Sequence, residues 1–200
     1  MNTVRNLGVW LKRFRYRCGY GVHSPYAFNF ITGVIFERGA YYAYEKLDSV
    51  YGKGIFWSVS HRRKCLHFLL RLSNFIRPDF FIADGGVSPA EKSYLSAGSR
   101  HSMWLTPGSK SLDAVSGKRV LVFVSACNLQ LPELLKEIRQ KADSSSALLL
   151  RTESCEMRER CSEIIQRCPD CGISFDLYDY LLVFFDENLY KQHYLVNFFD

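Results

Sequence analysis

The chain has 200 residues, of which 48% are hydrophobic and 15% aromatic; this composition predicts one folded domain and excludes a disordered chain. The formal net charge is +6, and many basic side chains lie in two clusters, within the first 17 residues and at 62–64. Because no run of about 18 apolar residues occurs, we expect no transmembrane segment.

Residues 1–60 are predicted to form an N-terminal helical extension, in one structural unit with the rest of the chain. Apolar residues at helical spacing over 4–16, with arginine and lysine between them, indicate a basic amphipathic helix. Its short length favours packing on the body or on a second subunit over binding to a membrane surface or a partner. Further helices are predicted from Ser24-Pro25 to residue 36 and from residue 41, followed by a glycine-rich loop over 49–60.

Strand and helix patterns alternate over residues 61–200, which are predicted to form an α/β domain. The alternation predicts a mostly parallel, doubly wound sheet, and the tight turn at Tyr178-Asp179 predicts an antiparallel pair at its edge. Strands are predicted at 80–83, 103–105, 119–124, 147–150, 172–177, 181–185 and 194–199, and helices at 62–76, 90–95, 131–141 and 156–167.

The segment around Asp84-Gly85-Gly86 combines an apolar strand, a glycine turn and the helix start Ser88-Pro89. In α/β sheets this combination presents a crevice for phosphates or nucleotides. A purely structural turn has the same pattern, so the segment alone favours a structural role.

The seven cysteines are scattered through a chain that can build its own core, which predicts reduced thiols and a cytoplasmic location. Cys168 and Cys171 form a CxxC pair, and with Cys155 and Cys161 they raise the question of a four-thiolate zinc site. Such sites have two close pairs, whereas this segment has one, and Cys161 falls on the apolar face of a predicted helix. We therefore predict no metal site.

Six segments between about residue 18 and the C-terminus carry a resemblance to a known family. They are GVHSPYAF at 21–28, YYAYE at 41–45, LRLSNFIRP at 70–78, ISFDLY at 173–178, LVFF at 182–185 and KQHY at 191–194. These segments resemble a family of class I S-adenosylmethionine-dependent methyltransferase-like proteins from Bacteroidetes. The resemblance implies a Rossmann-like, methyltransferase-type sheet with an antiparallel final strand and a cofactor crevice at the carboxyl ends of the first strands.

The chain departs from the family pattern at the residues that would hold the cofactor. Neutral or basic residues replace five acids, and a proline replaces the second glycine of the first turn. These positions are Ala83, Pro107, Ser125, Arg151 and Thr152 for the acids and Pro89 for the glycine, with Asn128 near the place of a histidine. A vestigial cofactor site would retain Asp84, Gly85, Gly86, Ser88, Ser125 and Asn128.

The connection between Gly108 and Arg119 is too short for the helix, strand and helix that the family has there. We therefore expect a sheet of six strands, in which the second strand lies at an edge.

The lost acids predict a degenerate methyltransferase, a pseudoenzyme without catalytic residues or bound cofactor that acts as a binding or assembly module. Its partner would be a second copy of the chain or another protein, bound through the N-terminal helices. The alternative is a divergent active enzyme, O-methyltransferase-like, that uses S-adenosylmethionine on a small molecule. Binding of nucleic acid or an anionic membrane by the basic clusters is a third hypothesis, and ordinary surface charge is favoured over it.

Overall fold

A computed structural model of the chain describes residues 21–52, 56–105, 112–125 and 130–198, with the backbone alone for 56–60. The predicted basic helix at 4–16 lies outside these ranges, as do Pro107 and Asn128. None of the helices in the described ranges has the length and apolar content that a membrane span requires.

The helices and strands alternate along most of the chain. The helices are α1 (Pro25–Phe30, continued by a π-helical segment at Ile31–Ile35), α2 (Tyr44–Tyr51), α3 (Phe56–Ile76), α4 (Pro89–Gly98), α5 (Leu131–Lys141) and α6 (Cys155–Arg167). The strands are β1 (Phe80–Ala83), β2 (Met103–Leu105), β3 (Val120–Ser125), β4 (Ala147–Arg151), β5 (Ile173–Asp176), β6 (Tyr180–Phe184) and β7 (Gln192–Leu195).

One sheet contains all seven strands, in the order β2-β1-β3-β4-β6-β5-β7. Strand β6 runs antiparallel to β4 and β5, and the other four pairs are parallel. The mostly parallel α/β architecture is thus confirmed. As the short connection predicted, β2 lies at an edge, and in residues 112–119 we find one 3-10 turn, Asp113–Val115.

Two predictions about the sheet were wrong. It has seven strands instead of six, because all seven predicted strand segments join the sheet, the last of them as an edge strand, β7, beside β5. The antiparallel strand is the next to last, β6, and the final strand is parallel to its neighbour β5. The physical reason is that β6 already has β4 and β5 hydrogen-bonded to its two edges, so the following segment cannot pair with β6 and instead extends the sheet at the open edge of β5.

The sheet is covered on both faces, which fits its continuous apolar strands. On β3, Leu121 and Phe123 belong to a core that includes residues of α1, α3 and α4. Val120, Val122 and Val124 belong to a second core, with residues of α5 and α6. The alternation of side chains along a strand therefore gives the protein three layers.

The N-terminal segment is attached to α3 through a buried arginine. Arg71 donates hydrogen bonds to the carbonyl oxygens of Val34 at 2.6 Å and Ile35 at 3.0 Å, and to the Tyr44 hydroxyl at 3.0 Å. The Arg71 guanidinium thus satisfies carbonyl groups near the end of the π-helical segment.

Helix α3 begins earlier than the sequence predicted, at Phe56 instead of residue 62, and α2 continues to Tyr51. The predicted loop over 49–60 was therefore wrong over most of its length, because residues 49–51 belong to α2, which Gly52 ends, and residues 56–60 belong to α3. The predicted boundary between an N-terminal extension at 1–60 and an α/β domain at 61–200 falls within α3. This division of the chain stays a prediction.

The contact between α3 and α4 predicts the effect of a substitution at Gly98. A Cβ atom at this position would lie 2.2 Å from the backbone oxygen of Leu70 and 2.8 Å from the Ser73 Cβ. We expect Gly98→Ala to lower the free energy of unfolding by about 1–3 kcal/mol, because the helices must separate. Urea denaturation measures this change.

Gly33→Ala is the matched control, because a Cβ on Gly33 would meet no atom within 4 Å. It should leave the free energy of unfolding unchanged or raise it by up to ~1 kcal/mol. Equal losses in the two variants would contradict the close approach of the helices.

Candidate functional site

The strand order creates a topological switch point between β1 and β3. The chain passes from β1 through α4 to β2 on one side of β1, and then to β3 on the other side. In open α/β sheets, ligands bind outside the carboxyl ends of the strands at such a point. Here Asp84 follows β1 and Ser125 ends β3, so two of the predicted site residues lie at this position.

The Asp84 carboxylate is engaged by the backbone. Its Oδ1 accepts a hydrogen bond from the Gly86 N–H at 2.9 Å, and its Oδ2 accepts one from the Ser125 N–H at 2.6 Å. The side chain thus closes the turn after β1 and connects it to the end of β3. The preceding Ala83, at the place of the acid in the resembling family, is buried in the strand.

Helix α4 begins with a capping box. The Ser88 hydroxyl accepts a hydrogen bond from the Glu91 N–H at 3.3 Å, and Glu91 Oε2 accepts one from the Ser88 N–H at 2.8 Å. The predicted cap at Ser88-Pro89 is confirmed. The sequence reasoning missed Glu91, although serine followed three residues later by glutamate is a known signal for this arrangement.

Arg151, at the end of β4, lies across this turn. Its Nη1 donates to Glu91 Oε1 at 3.0 Å and Oε2 at 2.9 Å, and its Nη2 donates to the Gly86 carbonyl at 2.7 Å. The Glu91 side chain is 8% exposed and that of Arg151 25%. Burial of Arg151 acts to lower its pKa, but the Glu91 carboxylate more than offsets this, so the pKa is raised.

The guanidinium borders the space beside Gly86. A Cβ on Gly86 would lie 3.4 Å from Arg151 Nη2 and 3.4 Å from the Ser125 Cβ. A Cβ on Gly85 would meet no atom within 4 Å. In a glycine turn of this type, a ligand would approach the backbone beside Gly86. Here the Arg151 side chain already lies beside this backbone.

Four of the six predicted site residues belong to one hydrogen-bonded network. Asp84, Gly86, Ser88 and Ser125 lie together, held by hydrogen bonds to one another or to the Arg151–Glu91 pair. Gly85 lies in the same turn and faces open space, and Asn128 is outside the described residues. The chemistry visible here is structural: charges and backbone dipoles satisfy each other.

A second polar group lies beside this network. The buried Tyr180 donates a hydrogen bond to Glu91 Oε1 at 3.4 Å, and Tyr180 directly follows Asp179 in the turn between β5 and β6. Asp179 Oδ2 is in hydrogen-bond contact with His61 Nε2 and lies 3.9 Å from Cys65 Sγ. Burial, with a contribution from the Asp179 carboxylate, raises the pKa of the Cys65 thiol.

His61, Cys65 and Asp179 are the one group of three or more metal-ligand side chains found in the described part of the chain. The sequence analysis did not identify them, because Asp179 is more than 100 residues from the other two. The CxxC pair differs from this group, since Cys168 and Cys171 have no third candidate ligand among the described residues. Burial raises the pKa of the Cys171 thiol.

No protein-family model and no curated protein matches the chain. Its sequence is 8% identical to the SAH-bound methyltransferase PaMTH1 of Podospora anserina, and the TM-score is 0.48 over 82% of this chain and 97% of that one. The precorrin-6y C5,15-methyltransferase of Geobacter metallireducens is also 8% identical, with a TM-score of 0.40 over 57% of this chain and 84% of that one. Likenesses of this size assign neither a family nor a function to the chain.

Because Glu91 is buried, we expect the loss of Arg151 to destabilise the folded protein. Arg151→Met should lower the free energy of unfolding by about 1–3 kcal/mol, because it leaves a buried carboxylate without its cation. Urea denaturation at neutral pH measures this change.

Arg167→Met is the control for the loss of an ion pair as such. Arg167 and Glu163 are 3.9 Å apart and mostly exposed, so this variant should lose less than ~0.5 kcal/mol. Equal stabilities of the two variants would contradict a structural role for the Arg151–Glu91 pair.

Proposed function

We propose that this chain has a methyltransferase-type fold without methyl-transfer activity, and that it acts as a binding module. The observation that carries the proposal is the position of Arg151, held between Glu91 and the Gly86 carbonyl at the switch point. A side chain built into the crevice in this way supports a structural use of the turn.

The residues at the switch point do not fit S-adenosylmethionine. Ribose hydroxyl groups need acceptor oxygens, and both nearby carboxylates are in use. Asp84 accepts two backbone N–H groups, and Glu91 binds Arg151 and Ser88. A ribose hydroxyl would have to share these oxygens with their present partners, and each buried partner that it displaced and left unpaired would cost about 1–3 kcal/mol.

Charge also disfavours this cofactor. S-adenosylmethionine carries its reactive methyl group on a sulfonium cation, and the Arg151 guanidinium is a second cation in the crevice. Like charges repel, and the repulsion is stronger in a partly buried site than in water. The pairing with Glu91 reduces this effect but takes up the carboxylate that could have compensated the sulfonium.

A divergent active methyltransferase is the second candidate function, and the open space at Gly85 favours it. In this case Arg151 would leave Gly86 when the cofactor binds. Asp84, Gly85, Gly86, Ser88, Ser125 and Asn128 would then be the residues available to hold S-adenosylmethionine. The substrate would be a small molecule.

Isothermal titration calorimetry of the full chain with S-adenosylmethionine and S-adenosylhomocysteine tests the proposal. We expect no binding tighter than a Kd of ~1 mM for either compound. A Kd in the micromolar range for either one would overturn the non-catalytic assignment and favour the active enzyme.

Arg151→Ala tests whether Arg151 is the obstacle, because it removes the guanidinium and also frees the Glu91 carboxylate. If the Asp84 carboxylate, held by two backbone N–H groups, also acts against the cofactor, this variant fails to bind as well. Binding by the variant alone would show that Arg151 is the obstacle, through its charge or through its contact with Glu91. Far-UV circular dichroism verifies that the variant is folded.

The partner that we propose for the module is a second copy of the chain, bound through the N-terminal helices. Phe28 on α1 is 44% exposed, which supports an apolar contact on this side. Sedimentation velocity of the full chain should show a dimer that Phe28→Ser weakens and Tyr190→Ser, at a 90% exposed residue, does not. A monomer in all three cases would contradict the dimer and leave another protein as the partner.

A further inference from the structure

We propose that His61, Cys65 and Asp179 form a binding site for one divalent cation of the zinc type. This site lies outside the switch-point crevice and does not depend on the proposed function. The ligand atoms would be His61 Nε2, Cys65 Sγ and an oxygen of Asp179, which all lie within 4.8 Å of one another.

The three atoms converge on one point. Cys65 Sγ is 3.7 Å from His61 Nε2 and 3.9 Å from Asp179 Oδ2, and His61 Nε2 contacts the same Asp179 oxygen. Tetrahedral zinc, with its usual bond lengths, places such atoms about 3.3–3.6 Å apart. The sulfur is therefore close to the required distances, and the His61–Asp179 pair has to open from direct hydrogen-bond contact.

The arrangement differs from that of a nucleophile, base and acid. In such a triad, one ring nitrogen of the histidine faces the nucleophile and the other faces the carboxylate. Here a single nitrogen, Nε2, faces both Cys65 and Asp179. Convergence on one nitrogen is the geometry of a shared ion, since each ligand contributes one atom to the same centre.

The backbone on both sides of the site is held in place. His61 and Cys65 are four residues apart on α3, which puts them on the same face of the helix. On the other side, the Thr152 N–H donates to the Asp179 carbonyl at 2.9 Å, and the Thr152 hydroxyl donates to the Tyr178 carbonyl at 2.9 Å. The site therefore needs only side-chain adjustments to accept an ion.

A further contact fixes the turn that carries Asp179. The buried Asp176 accepts a hydrogen bond from the Tyr178 N–H at 2.9 Å and lies 3.6 Å from Arg158 Nε. These partners hold Tyr178 in its left-handed conformation, with φ at 75°. Asp179 is thereby directed toward α3.

The donor set selects the class of ion. Thiolate and imidazole ligands suit zinc, whereas magnesium and calcium take oxygen ligands. The side chains of His61 and Asp179 are 18% and 23% exposed, so an ion has access from solvent. With three protein ligands, a water molecule can fill the fourth position, as in zinc sites that remain open.

Titration of the zinc-free full chain with Co²⁺ tests the site, because cobalt replaces zinc and its absorption reports the ligands. We expect one equivalent of Co²⁺ to produce tetrahedral d–d bands and a thiolate-to-cobalt charge-transfer band. Cys65→Ser should abolish the charge-transfer band, and Zn²⁺ should displace the cobalt. Zinc should also raise the Tm of the wild-type chain.

Two further variants make the outcome decisive. The double variant Cys168→Ser with Cys171→Ser should keep the charge-transfer band, because it removes the other close pair of thiols. Asp179→Asn, at a partly exposed residue, should weaken Co²⁺ binding at least ~10-fold, and it carries the test if Cys65→Ser does not fold.

Failure of the wild-type chain to bind Co²⁺ would overturn the site. The same conclusion would follow if the charge-transfer band persisted in folded Cys65→Ser, or if Asp179→Asn bound Co²⁺ as tightly as the wild type. Loss of the band in the CxxC double variant, with Cys65 intact, would place the ion at Cys168 and Cys171 and would also contradict the proposal.

Discussion

The ion pair between Arg151 and Glu91 connects elements that the chain order keeps far apart. Glu91 lies in the first turn of α4, and Arg151 ends β4. A carboxylate as buried as Glu91 requires a cation and hydrogen-bond donors, and Arg151 and Ser88 supply them. Through its bond to the Gly86 carbonyl, Arg151 also fixes the turn after β1, so the switch point depends on this one pair.

Two polar groups with different arrangements lie at the same edge of the sheet. At the switch point, where open α/β sheets usually bind ligands, Asp84 and Glu91 accept hydrogen bonds from within the protein. Beside it, His61 and Cys65 face Asp179 with an arrangement that an ion could share. Tyr180, the first residue of β6, follows Asp179 and donates a hydrogen bond to Glu91, so it connects the two groups.

Local patterns in the sequence predicted much of the fold. The bounds of β1 and α5 agree with the predictions at both ends, because an unbroken apolar run and a strong helical period determine them. The order of the strands depends on which edges are still unpaired, and for this reason the place of β7 could not be read from its own residues.

The candidate sites were less predictable than the fold. The capping box of Ser88 and Glu91 was readable, since its signal lies within four residues. The Arg151–Glu91 contact spans 60 residues and the Cys65–Asp179 contact 114, and no local pattern reports such pairs. The sequence analysis identified Arg151 as a residue that replaces an acid of the family pattern, but only the structure shows its guanidinium beside Gly86.

A crystal structure of the full chain, grown with saturating S-adenosylhomocysteine, is the most direct test of the central claim that Arg151 closes the switch point. The account predicts that Arg151 contacts Glu91 and the Gly86 carbonyl, and that no cofactor density lies at the carboxyl ends of β1 and β3. Cofactor density at this place, with Arg151 turned away from Gly86, would contradict it.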